Sequence, residues 1–148
     1  MPAGQLILGT GMIGLTVVIH IGGILCTVAW LRAHFKTQTG HNSFGWAVRM
    51  FVASVLGVFL FHTVEIWLWA ALYMLLGEFS DLERALYFST VTFTTLGYGD
   101  ITLSPRWQML SGLEAANGII LFGVSTAFIF AVLRYLFEAA GIVGRHRE

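Results

Sequence analysis

The sequence predicts an all-α membrane protein. Three helices cross the bilayer, and a short re-entrant helix with an extended strand lies between the second and third. Two observations carry this. Of 148 residues, 57% are hydrophobic and only 11% charged, with a mean hydropathy of +0.78, a balance that suits a bundle of membrane helices rather than a soluble core. The apolar residues also fall into three long runs, while the stretch between the last two is too short and polar to cross alone.

Residues 6 to 31 contain no charged side chain, only His20 near the middle, and cross a ~30 Å hydrocarbon core with some tilt. No positive charge precedes this run, so a cleaved signal peptide is not expected. Cys26, the single cysteine, is expected to be a small buried packing residue. His20, alone on an apolar helix, is expected to be a satisfied packing residue. A polar connection from Arg32 to Ser43 follows. The second span runs from about Trp46 to Gly77, interrupted by His62 and Glu65. The third runs from about Trp107 to Phe137, interrupted by Glu114 and Asn117.

Between them, Ser80-Asp81-Leu82-Glu83 reads as a capping box, with Ser80 as cap and Glu83 at the third helical position. A helix over 81–94 is predicted to enter the membrane, and the chain then returns as extended backbone. Irregular backbone at membrane depth is tolerated only inside protein or beside water, so one copy of this loop demands others. Lys and Arg cluster at the first connection (Arg32, Lys36, Arg49) and the C-terminal end (Arg134, Arg145, Arg147). That bias puts both in the cytoplasm of a plasma-membrane protein, with the N-terminus and the loop outside. Trp30 and Trp46 fall at the inner interface and Trp107 at the outer one, as aromatic belts do.

Residues 94 to 100 read Thr-Thr-Leu-Gly-Tyr-Gly-Asp. Turning successive carbonyls into one lumen requires backbone angles that alternate in hand, which Gly97 and Gly99 adopt at little steric cost. Thr95 adds a hydroxyl, and Tyr98 is expected to face away from the lumen. This segment resembles the Thr-Val-Gly-Tyr-Gly selectivity filter of the potassium-channel pore-domain family, with Leu96 in place of Val. The resemblance implies a homotetramer around one axis, with potassium ions as ligands and no organic cofactor. Thr95, Leu96, Gly97, Tyr98 and Gly99 form the filter, and potassium is held by the carbonyls of Thr95 to Tyr98 and the Thr95 hydroxyl. It divides the chain into residues 1–43 (extra helix and connection), 44–137 (outer helix, pore helix 81–94, filter 95–99, inner helix 107–137) and a tail, 138–148.

Asp100 matches the acid after the family's filter. Tyr87 and Phe88 stand where many members carry a Trp pair, so Tyr87 is the expected partner of Asp100. Val91 replaces a glutamate that some members place behind the filter. The first helix has no counterpart in the simplest two-span members. It carries no arginine series and so is not an ordinary voltage sensor. No nucleotide- or calcium-binding domain is expected after Phe137.

On the third span, Gly118 and Gly123 are hinge or packing candidates, and Gly123, Ala127, Ala131 and Tyr135 form a stripe that would line the cavity. His62 and Glu65 share a helix face, as do Glu114 and Asn117. His62, Glu65 and Glu114 either form a proton-sensitive gating network or act as neutral polar glue between helices, the glue reading being favoured. No cluster has metal-ligand spacing and no nucleophile–base pair is credible, so an enzyme is not expected. Zero formal net charge gives no nucleic-acid footprint; membrane lipid and further copies of the chain are the expected partners. A non-selective cation channel, an ion-transporter subunit and a non-conducting regulatory subunit are the other readings; the intact Gly-Tyr-Gly and the single loop argue against them.

Overall fold

A computed structural model describes residues 2–36 and 44–141. Most of the predicted first connection and of the 138–148 tail falls outside these. The chain forms α1 (Pro2–Lys36), α2 (Phe44–Leu75), α3 (Leu82–Phe93) and α4 (Gln108–Ala139). Three of them, α1, α2 and α4, are long and apolar enough to cross a membrane, and no strand occurs among the described residues.

α1 is longer than the apolar run that predicts it, because helix continues into flanking polar residues that still satisfy their own backbone bonds, while α2 and α4 match their runs to within two residues at each end. Each long helix is apolar almost all round, with Ile7, Val18, Leu25, Phe59 and Leu60 among its exposed side chains. The polar residues lie inside instead: Thr16, His20, Ser54, Glu65, Ser89, Glu114 and Asn117 are buried. That inversion suits a bundle whose solvent is lipid, where hydrogen bonds and close packing hold helices together.

Chain reversals are set by local chemistry. α2 ends in a Schellman motif: Glu78 N donates to Tyr73 O and Gly77 N to Met74 O, both at 3.0 Å, with Gly77 at φ 77°. The expected Ser80 cap is replaced one residue on. Asp81 is extended at φ −118°, ψ 130°, and its Oδ2 accepts from Arg84 N at 3.1 Å. An ionised carboxylate is the stronger acceptor of the two adjacent caps, and it also complements the positive end of the helix. Glu83 therefore sits in the first turn without closing a capping box.

α3 packs across α2 and α4 through one apolar cluster of Trp69, Tyr73, Phe88, Phe93, Leu103, Leu110 and Leu121. Edge-to-face rings join the elements: Tyr73–Phe88 at 5.2 Å and Phe93–Phe122 at 5.6 Å between centroids. A second cluster ties the far end of the bundle, where Leu31 of α1 and Trp46 and Ala47 of α2 meet Val132 and Leu136 of α4. Trp46 is thus packed between helices rather than turned outward. Cys26 differs from expectation in the opposite sense, being exposed on the outer face of α1.

Candidate functional site: the re-entrant loop and its supports

The loop after α3 is built from its helix outward. Thr95 N donates to Thr92 O at 2.9 Å, closing the last turn. Leu96 N and Gly97 N then both donate to one oxygen, Val91 O, at 2.9 and 3.2 Å. Among the described residues no peptide is cis, and in a trans peptide the carbonyl points opposite its N–H. The carbonyls of Thr95 and Leu96 therefore both face away from α3, toward the same side. Ordinary extended backbone alternates instead, so the hand must alternate. Thr95, Gly97 and Gly99 take φ of 61°, 53° and 76°. For Thr95, β-branched, that conformation is rare and strained.

Thr94 to Asp100 are exposed throughout. Leu96 and Tyr98 are 56% and 66% exposed, so this apolar and irregular segment is left uncovered by its own chain. Two supports hold it. Tyr87 Oη donates to Asp100 Oδ2 at 2.8 Å; that bond and the nearby negative charge raise the Tyr87 phenol above its ordinary range. At the base of the loop, Glu78 accepts from Ser104 N at 2.6 Å and from Ser104 Oγ at 2.7 Å.

Behind the loop, the expected His62–Glu65–Glu114 set divides into separate groups. Glu114 accepts from Tyr73 Oη at 2.6 Å and lies 2.5 Å from Ser89 Oγ, which also reaches Ile66 O at 2.9 Å. This knot joins α2, α3 and α4. Asn117 does not join Glu114; its Nδ2 donates to Thr16 Oγ1 of α1 at 2.8 Å. Glu65 instead takes His20 and His62, at 2.8 and 3.0 Å, and Ser125 Oγ approaches the other nitrogen of both rings. His20 is consequently paired across helices, not merely packed. Three metal-ligating side chains also converge there, contrary to the expectation from spacing along the chain.

Sequence reasoning missed His20, Ser125, Ser89, Tyr73 and Thr16 as members of these groups. The signal available was that a polar group in an apolar span must find a partner; which partner depends on helix rotation, which spacing along one helix does not give.

On α4, Gly118 is buried against α3, and a Cβ there would overlap the Phe93 carbonyl. Close packing therefore accounts for this glycine. Gly123, Ala127, Ala131 and Tyr135 are exposed along one stripe, and beyond its own helix no atom among the described residues lies near a Cβ at Gly123.

A family model described as an ion channel matches residues 50–135. No curated protein and no solved structure matches the chain. The matched residues cover more than half of the sequence and take in most of α2, all of α3 and its loop, and α4 to within a turn of its end. The chain belongs to the ion-channel family.

Proposed function

We propose that the chain is one subunit of a homotetrameric, potassium-selective channel that conducts potassium passively across the plasma membrane. The observation that carries this reading is the loop backbone: successive carbonyls of Thr95 and Leu96 turned to one side, with the N–H groups across those peptides, of Leu96 and Gly97, tied back to Val91 O. A dehydrating cation needs a ring of such oxygens, and four copies around one axis supply it. The exposure of residues 94–100 supports the same assembly, since bare irregular backbone is not tolerated against lipid.

In this assembly Thr95 to Tyr98 provide the ion-coordinating carbonyls and the Thr95 hydroxyl the innermost oxygens. Gly99 completes the filter, while Asp100 and Tyr87 brace its outer end. The exposed stripe of Gly123, Ala127, Ala131 and Tyr135 lines the cavity below. The Lys and Arg bias places the first connection and the C-terminal end in the cytoplasm and the filter outside.

The test is purified chain in vesicles under a potassium/sodium gradient. Potassium selectivity is read as a reversal potential near that of potassium. A reversal potential near zero in mixed cations would leave the scaffold a non-selective channel, and absence of flux would make it a regulatory subunit.

A further inference from the structure

Three helices bring Glu65, His20, His62 and Ser125 to one buried point. Glu65 divides its carboxylate between two rings, with Oε1 2.8 Å from His20 Nδ1 and Oε2 3.0 Å from His62 Nδ1. On the far side of both rings, Ser125 Oγ lies 2.9 Å from His62 Nε2 and 3.1 Å from His20 Nε2. The contacts close into a cycle, and all four residues are buried. The ring centroids are 5.0 Å apart.

A hydrogen count shows what this cycle lacks. Four contacts need four hydrogens. A carboxylate supplies none, each neutral imidazole one, and the hydroxyl one. With both rings neutral and Glu65 ionised, one contact is left with two lone pairs facing each other and the carboxylate is uncompensated. Both are costly away from water, so the cycle needs one further cation, a proton or a metal ion.

We propose that Glu65 and the Nδ1 atoms of His20 and His62 bind a divalent transition-metal cation of the zinc class. With a cation on that side, each ring keeps its hydrogen on Nε2, and both Nε2–H groups donate to the two lone pairs of Ser125 Oγ. Every ring nitrogen is then engaged, and the dication more than offsets the single carboxylate, leaving one positive charge at the site and the Ser125 hydrogen outside the cycle. Ser125 then fixes both rings from behind, the role that outer hydrogen-bond partners play for imidazole ligands.

The donor set selects the class of ion. Two imidazoles and a carboxylate suit zinc, whereas magnesium and calcium prefer oxygen alone. The ligand atoms all lie within 4.8 Å of one another. Ligands at ~2.0–2.2 Å from one tetrahedral zinc lie roughly 3.3–3.6 Å apart, so the side chains must re-space, by up to about an ångström, when the ion enters. The site joins α1 to α2 directly and to α4 through Ser125, so it acts as a clasp for the first helix. It does not rest on the potassium reading, since each chain carries a whole site.

The test uses full-length chain without a polyhistidine tag, expressed in zinc-supplemented medium and purified in detergent. One zinc per chain is expected by elemental analysis, with zinc-edge absorption reporting two nitrogen ligands and carboxylate oxygen. His20→Gln and Glu65→Gln should lose the metal. Ser125→Ala should keep the stoichiometry while affinity falls about 10–100-fold in competition with a chelator. Should the variants fail to fold, the wild-type spectrum alone decides. Wild type that carries no zinc, and whose unfolding temperature does not rise when zinc is added, overturns the proposal and leaves a proton closing the cycle. Zinc retained in full by His20→Gln, or an all-oxygen or sulfur-containing shell in wild type, places the metal elsewhere and overturns it equally.

Discussion

At Gly97 and Gly99 it is the backbone angle, not space, that demands glycine. Beyond the flanking residues, no atom among the described residues lies within 4 Å of a Cβ built at either position, yet both have φ well inside the left-handed region. An alanine there strains the backbone by about 1–2 kcal/mol and is relieved by flipping the peptide. A flipped peptide replaces a carbonyl with an N–H in the lumen. Gly99→Ala is therefore expected to lose potassium selectivity or conduction, measured as the sodium-to-potassium permeability ratio; wild-type selectivity would sink the carbonyl-lumen model. Tyr87 is a test of support rather than of coordination. Its phenol is raised above the ordinary range by the bond to Asp100, so the donor persists through neutral and mildly alkaline pH and is lost only as pH rises through the raised value. Tyr87→Phe deletes that donor and keeps the ring. Single-channel recording should show altered open times at unchanged ion preference, and identical gating would argue against a bracing role.

Among elements, the contact of α3 with α4 is the most exacting. Gly118 lets the Phe93 carbonyl rest directly on α4, and any Cβ would displace it. Gly118→Ala should destabilise the fold by about 1–3 kcal/mol, the usual scale of overpacking. Gly123→Ala, with open space around the new Cβ among the described residues, should leave stability unchanged or raise it by up to about 1 kcal/mol, the helix preference for Ala over Gly. Thermal unfolding in detergent compares the two, and equal midpoints would remove this contact from the account of α3 placement. The elements themselves were largely legible in the sequence, because long apolar runs and an intervening polar stretch leave few alternatives. The cap of α3 was misjudged by one residue, since Ser80 and Asp81 are adjacent and both good cap types, and the spacing to Glu83 favoured the wrong one. The polar pairings were the least legible. His62 and Glu65 share a face by spacing, but whether that face meets Glu114 or His20 depends on how α2 is rotated against α1 and α4.

For the whole molecule, a single chain leaves its most specialised backbone uncovered. Residues 94–100 are exposed, and Leu96 and Tyr98 are not buried by the described residues. In the proposed tetramer, identical neighbours around one axis would cover them. Native mass measurement should give four chains per particle, and a functional monomer or dimer would contradict the shared central pathway.

The two bonds from Ser104 to Glu78 join residues 26 positions apart, and between them lie α3 and the irregular segment that returns from it. They make this segment a lariat closed at its neck. Tying the ends beforehand removes much of the loop-closure entropy that the segment would regain on detaching, so it should open as one cooperative unit instead of fraying from either side. Amide hydrogen exchange would register that as a block: the N–H groups of Leu96 and Gly97 becoming labelled together with those of α3, and both sooner once Ser104→Ala slackens the knot.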